Sequence, residues 1–217
     1  MKTKDLLFEH YDTIKVLVLG FAICVLLLAL RIRYTESFFF LFLGWNLILA
    51  MVPYGITFIA QTQPLLLARK WSFGIIFLVW LLFLPNSPYI VTDLVHLKLS
   101  SPHSIFYDII LILSYAITGF MFGIYSVLEM TRFLAFHFSE RAVRIIIWGI
   151  SFLCGFGVFI GRFLRFNSWD FITDPSTVFL EIAQNLQNPL AWLLTFYIGL
   201  LMLLVTLWLS TSRNAMS

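Results

Sequence analysis

A bundle of six transmembrane helices is the fold class this sequence predicts, and three observations predict it. Of its 217 residues 61% are hydrophobic and 12% are charged. The mean hydropathy of +0.95 lies outside the range of soluble domains of this size. The apolar residues also fall into six runs, five of them long enough for a hydrocarbon core about 30 Å thick. No soluble domain, low-complexity tract or repeat separates the runs, so residues 1–217 read as one all-α integral membrane domain.

The first run, Ile14 to Leu30, is followed by Arg31-Ile32-Arg33-Tyr34 without a small-residue cleavage site, which reads as a retained helix rather than a signal peptide. The second, Ser37 to Ile59, carries Asn46 and Pro53; the expected role of Asn46 is to hold neighbouring helices together. The third, Trp71 to Leu84, is interrupted. It supplies only about 21 Å of helix at 1.5 Å per residue, so the pair Pro85 and Pro88 is expected to break it inside the bilayer. Ser87 and Pro88 suit the N-cap and first turn of a second half-helix reaching about Leu97, and its free N–H groups would favour an anion at depth.

The fourth run, Phe106 to Leu128, begins near Asp108 and contains Gly119 and Gly123. The fifth, Ala142 to Ile160, contains Gly157 and leads into Gly161. Glycines four apart leave flat faces on which neighbouring helices approach closely. In the long connection from Gly161 to Pro189, Asp174 suits an N-cap and Pro175 a first turn. Phe179, Ile182 and Leu186 share one side, which predicts a short amphipathic helix lying on the membrane or packed as a lid. The sixth run is Leu190 to Leu209.

Six spans put both termini on one side. With the amino terminus inside, nine basic residues are cytoplasmic: Lys2, Lys4, Lys15, Arg69, Lys70, Arg132, Arg141, Arg144 and Arg213. Arg31, Arg33, Lys98, Arg162 and Arg165 lie outside. The asymmetry favours both termini in the cytoplasm of a bacterial cell, with the lipid bilayer as the main partner. The pI of about 9.0 then reflects insertion rather than nucleic-acid binding. Cys24 and Cys154 both fall within spans and read as small hydrophobes.

Function is expected where prolines and ionisable groups interrupt the hydrophobic pattern. Tyr89, Thr92, Asp93 and His96 are separated by steps of three and four, which gathers them on one helical face, with Asn86 one turn earlier. After the fifth span comes Gly161-Arg162-Phe163-Leu164-Arg165-Phe166-Asn167-Ser168-Trp169-Asp170. Arg162 and Arg165, three apart on a continuing helix, run against the positive-inside trend; they either snorkel to the headgroup region or have an anionic partner. That partner is Asp93, Asp170, or an external phosphate or carboxylate. Asn86, Tyr89, Thr92, Arg162, Arg165, Asn167 and Ser168 are the candidate ligand-binding residues.

Asp93, His96 and Asp170 are the candidate catalytic groups, with His96 as a general base oriented by Asp93. Asp93 and His96 joined by Asp170 or His103 also have the ligand types for a divalent metal, but no His-Glu-x-x-His helix is present. No cofactor is named by any motif.

Trp45-Asn46-Leu47 with Pro53, then Pro85-Asn86-Ser87-Pro88-Tyr89 with Thr92-Asp93 and His96-Leu97, then Gly161-Arg162 with Arg165 and Asn167-Ser168-Trp169-Asp170, together resemble a bacterial family of multi-pass membrane proteins classified only as a domain of unknown function. The resemblance covers almost the whole chain and implies no activity, substrate or catalytic residue. The leading expectation is an outward-facing polar pocket that binds an anionic headgroup or a lipid-linked intermediate, as a binding protein or envelope enzyme. A transporter or channel built on the broken third helix and a noncatalytic membrane accessory or scaffold protein are the alternatives.

Overall fold

The computed structural model describes residues 10–100 and 103–216. Lys2 and Lys4, used above to orient the chain, lie outside the described residues. Among the described residues all regular structure is helical. Six helices among the described residues are long and apolar enough to cross a membrane: Tyr11–Thr35, Phe39–Gln61, Lys70–Lys98, Ile105–Ala135, Glu140–Leu164 and Pro189–Thr211.

Helix α1 (Tyr11–Thr35) stops where Glu36 turns left-handed at φ 52°, its N–H returning to the carbonyl of Ile32. Helix α2 (Phe42–Gln61) follows a 3₁₀ turn at Phe39–Leu41. After the short α3 (Pro64–Ala68), the third span is built from α4 (Lys70–Phe83), α5 (Asn86–Tyr89) and a 3₁₀ segment, Ile90–Leu99. The centre of the bundle is α6 (Ile105–Ala135), which packs against α1, α2, α5, the 3₁₀ segment, α7 and α10. Helix α7 (Glu140–Phe159) starts at Ser139, whose hydroxyl accepts the N–H of Ala142, and widens into a π turn at Ile160–Leu164. Short helices α8 (Asp170–Thr173) and α9 (Pro175–Asn185) precede α10 (Pro189–Met216).

The third span departs from the expected sharp break. Pro85 and Pro88 lack N–H groups, and α-type hydrogen bonding gives way at Leu84. The torsions nevertheless stay right-handed helical: φ −54°, ψ −40° at Leu84 and φ −60°, ψ −21° at Pro85. Local bonds run from Ser87 N to Leu84 O and from Tyr89 N to Pro85 O. The Ser87 cap does not form. Its hydroxyl donates instead to the carbonyl of Ala50 on α2, so no half-helix restart exposes N–H groups at depth.

Four glycines seat this irregular stretch. A Cβ on Gly123 would stand 2.6 Å from Ser87 Cβ, and one on Gly119 2.6 Å from Ile90 Cδ1. A Cβ on Gly157 would overlap the ring of Pro85, and one on Gly161 would come within 3.3 Å of the Tyr89 ring. The small faces of α6 and α7 therefore clamp residues 85–90 between them, with Leu84, Ser87 and Ile90 fully buried. Elsewhere, the Trp80 indole N–H reaches Ser126 Oγ at 3.2 Å, and Gly155 and Gly199 bring α7 against the backbone of α10.

Candidate functional site

The 3₁₀ segment places Asp93 in the interior, 1% exposed. A carboxylate so far from water is tolerated only when charge and hydrogen bonds compensate it. Both oxygens are engaged. The Asn46 amide on α2 donates to Oδ2 at 2.8 Å, and Nη2 of Arg162 donates to Oδ1. Arg162 also donates from Nε to the Thr92 hydroxyl at 2.7 Å, and its guanidinium lies 4.3 Å from the centre of the Tyr89 ring. Thr92 completes the arrangement by donating to the carbonyl of Tyr89.

The π turn explains how Arg162 reaches this position. Widening the helix re-aims the side chain, and Gly161 beside it leaves room for the Tyr89 ring. The turn ends at Arg165, left-handed at φ 61°, so the expected continuous helix carrying both arginines is replaced by two divergent side chains. Arg162 turns into the bundle. Arg165 is exposed.

His96 lies beside the cluster, with Nδ1 3.1 Å from the carbonyl of Asp93 and 3.7 Å from its Oδ1. The imidazole packs against the ring of Phe42, centroids 4.8 Å apart. Asp170 does not join. Its Oδ2 accepts from the backbone N–H of Asn167 at 2.6 Å and from the Asn167 amide at 3.3 Å, closing its own loop. Of the candidate residues the structure brings together Asp93, Arg162 and His96 with Asn46, Thr92 and Tyr89, while Arg165 and Asp170 remain outside this cluster. Burial decides the difference: Asp93 needs partners at depth, and Asp170 finds its own within one turn.

Asn86 and Ser168 form a second link between the two motifs. The Asn86 amide donates to Ser168 Oγ at 3.0 Å and to the carbonyl of Phe83, and Ser168 donates to the carbonyl of Leu82 at 2.7 Å. Ser168, a candidate ligand-binding residue, thus ties its loop to the end of α4.

Beside this link lies a cavity of about 330 Å³. Trp45, Leu49, Phe156, Ile160 and Phe166 contribute to its apolar walls, while Asn46, Asn86, Tyr89, Asn167 and Ser168 supply polar atoms. Helix α9 supplies Phe179 and Ile182, the apolar face expected for the amphipathic helix, and Phe179 meets Phe171 edge to face. The Asp174 cap is present: its carboxylate accepts the N–H of Thr177 at 3.3 Å and the hydroxyl of Ser176 at 3.0 Å. Those bonds, Thr177's first, hold its pKa below the usual carboxylate value.

The family model described as "Protein of unknown function (DUF1361)" matches residues 45–205. The chain belongs to this family. The matched stretch runs from Trp45 in the cavity wall into α10, so it contains every residue of the Asp93 cluster and of the cavity. No curated protein and no solved structure matches the chain, and membership in DUF1361 brings no activity with it.

Two buried clusters lie away from the cavity and were not anticipated. Arg31, expected on the outer surface, is 6% exposed and donates from Nε to Asp108 Oδ1 at 3.1 Å, with Phe40 beneath its guanidinium. Asp108 also accepts from Ser104 and so is engaged apart from the Asp93 cluster, while His103 is exposed. Glu129, 2% exposed, accepts from the Gln61 amide at 2.9 Å and from Arg132 at 3.1 Å, with His10 Nδ1 at 3.7 Å. The available signal was the acid at the edge of the fourth apolar run with an arginine three residues on. Among the described residues, no group of three His, Cys, Asp or Glu side chains gathers to hold a metal.

Proposed function

We propose that this protein binds a membrane amphiphile, a lipid or lipid-linked intermediate, in the cavity between α2, α4, α7 and the α8–α9 connection. The supporting observation is the uneven lining of that space. Aromatic and aliphatic walls suit a hydrocarbon chain, and carboxamides, a phenol and a hydroxyl suit a polar head. In this reading α9 is a lid whose Phe179 and Ile182 cover the chain. With the amino terminus cytoplasmic, as the basic residues favour, the cavity lies towards the extracytoplasmic leaflet of the cell membrane.

The Asp93–Arg162 cluster has a different role, that of a structural pin joining the second, third and fifth spans. Both carboxylate oxygens already have partners within the protein, which favours a scaffold role for these residues over proton transfer. Transport is not proposed, because the third span that motivated it keeps right-handed helical torsions through Leu84 and Pro85.

The test is native mass spectrometry of the full chain released from bilayers, comparing the native sequence with Ile182→Trp, which fills the cavity from the lid. The native chain is expected to retain lipid that the variant loses while remaining folded. Equal retention by both would overturn the reading.

A further inference from the structure

Three carboxamides line the cavity from three different elements: Asn46 on α2, Asn86 on α5 and Asn167 after the π turn. Each commits its NH₂ group to a partner that can only accept. Asn46 donates to the Asp93 carboxylate at 2.8 Å, Asn86 to the carbonyl of Phe83 at 2.9 Å, and Asn167 to the Asp170 carboxylate at 3.3 Å. A carboxylate or a carbonyl has no hydrogen to give, so the orientation of each amide is fixed and its oxygen is the end left over. None of the three oxygens has a partner among the described residues.

Asn46 and Asn86 are partly buried, yet neither oxygen is among the sealed side-chain atoms that lack a partner. Both therefore open onto space that a ligand can enter. The space these two residues share is the cavity. Two hydrogens complete its polar lining, the Tyr89 hydroxyl and the Trp45 indole N–H, neither with a partner among the described residues. The Ser168 hydroxyl is already spent on the carbonyl of Leu82.

Among the described residues on the lining none is charged. The Asp93–Arg162 pair that Asn46 adjoins is closed on itself, so a charged head would be buried here without a counter-charge. A phosphate or carboxylate, which only accepts, would also leave the carboxamide oxygens unmet. An ammonium, which only donates, would leave the Tyr89 and Trp45 hydrogens unmet. A hydroxyl donates and accepts at once.

We infer that the cavity takes an uncharged headgroup bearing several hydroxyls, the sugar head of a neutral glycolipid, held by the carboxamide oxygens of Asn46 and Asn86 and by the Tyr89 hydroxyl. This deepens the proposal above and rests on it. Tyr89 is the residue through which it can be tested without disturbing the fold: Tyr89→Phe keeps the ring beneath Arg162 and removes only a hydroxyl that has no protein partner.

The experiment uses the full chain in nanodiscs containing equal amounts of monoglucosyl diacylglycerol and phosphatidylglycerol with identical acyl chains, followed by native mass spectrometry of the lipids retained. The native chain is expected to hold the glucosyl lipid about tenfold over phosphatidylglycerol, the size of one net hydrogen bond. Tyr89→Phe is expected to cut retention of the glucosyl lipid about fivefold and leave phosphatidylglycerol unchanged. A glucosyl lipid with its hydroxyls methylated keeps its acceptors and loses its donors, and it is expected to be retained no better than phosphatidylglycerol. Retention of phosphatidylglycerol equal to or above the glucosyl lipid would overturn the neutral-head assignment and leave the cavity reading intact, as would equal retention of the methylated lipid. Unchanged retention in Tyr89→Phe would overturn the placement of the head at Tyr89. Loss of no lipid in Ile182→Trp would overturn both readings. Soluble methyl glucoside is expected not to displace the lipid; displacement at comparable concentration would show a site for free sugars and overturn the lipid assignment.

Discussion

Asp93 and Glu129 are held by the same set of partners at opposite ends of α2. Each buried carboxylate takes an amide N–H from that helix, Asn46 in one case and Gln61 in the other. Each also takes a guanidinium N–H, from Arg162 or Arg132, and has a histidine Nδ1 at 3.7 Å. At 1.5 Å per residue, the two amides are separated by about 22 Å of helix. Glu129 and Arg132 both lie on α6, whereas Asp93 joins three separate spans, so the two clusters should differ in what they contribute.

Breaking the Asp93 pair from one side should be more damaging than removing it whole. Arg162→Met leaves a carboxylate in the interior without its counter-charge, a change that costs about 3–5 kcal/mol in comparable buried pairs. The double variant Asp93→Asn with Arg162→Met should recover most of that loss. Thermal unfolding of the native chain, the single variants Arg162→Met and Asp93→Asn, and the double variant in one detergent measures the coupling, and additive effects would show that the two side chains act independently.

Removing the amide partner is a milder change with a predictable size. Asn46→Leu and Gln61→Leu each delete one hydrogen bond to a charged acceptor, so each should lower stability by about 1.5–3 kcal/mol. Chemical denaturation of the folded chain checks both values. A negligible effect at Asn46 would mean that Arg162 alone satisfies Asp93.

The glycines that clamp residues 85–90 give a sharper contrast. Gly123→Ala and Gly157→Ala drive a methyl into Ser87 or the Pro85 ring, and overpacking of this kind costs about 1–3 kcal/mol. Gly44→Ala and Gly149→Ala meet nothing within 4 Å and should be neutral or gain up to about 1 kcal/mol from helix propensity. Equal melting temperatures across all four variants would show that the close approach is not tight.

The glycine clamp also shows how far the sequence could be read. The paired glycines, the six apolar runs, the Asp174 cap and the shared face of Tyr89, Thr92 and Asp93 were legible because each depends on spacing along one helix. What Gly119 and Gly123 face was not legible, since that depends on where the third span runs. The Ser87 cap was misread for a related reason. A serine before a proline suits a helix start locally, but here a carbonyl of α2 is within reach and takes the hydroxyl. Arg165 and Asp170 were grouped with the buried cluster because the π turn, which separates Arg162 from Arg165, has no signature in residue types.

Acid should loosen the lid before it unfolds the bundle. Hydrogen bonds from Thr177 and Ser176 lower the folded-state pKa of Asp174 from its ordinary value of 3.8. A depressed carboxylate pKa contributes stability above the unfolded-state value, and that contribution is lost as pH falls through the folded-state value. Hydrogen exchange of residues 175–185 should therefore accelerate below about pH 4. In Asp174→Asn this acid step should disappear. An identical acid step in the variant would place its origin elsewhere.

The orientation of the chain decides which leaflet the cavity faces, and the basic residues favour an outward mouth. Single cysteines at His103 and Arg141, both exposed, sit at opposite ends of the loop-to-loop path through α6. In a Cys24→Ala, Cys154→Ala background, an impermeant maleimide applied to intact cells should label position 103. Position 141 should react only after permeabilisation. The reverse pattern would put Arg165 and the α9 lid on the cytoplasmic side, where two arginines beside a span need no anionic ligand to explain them. Positive-inside insertion alone would then account for Arg165.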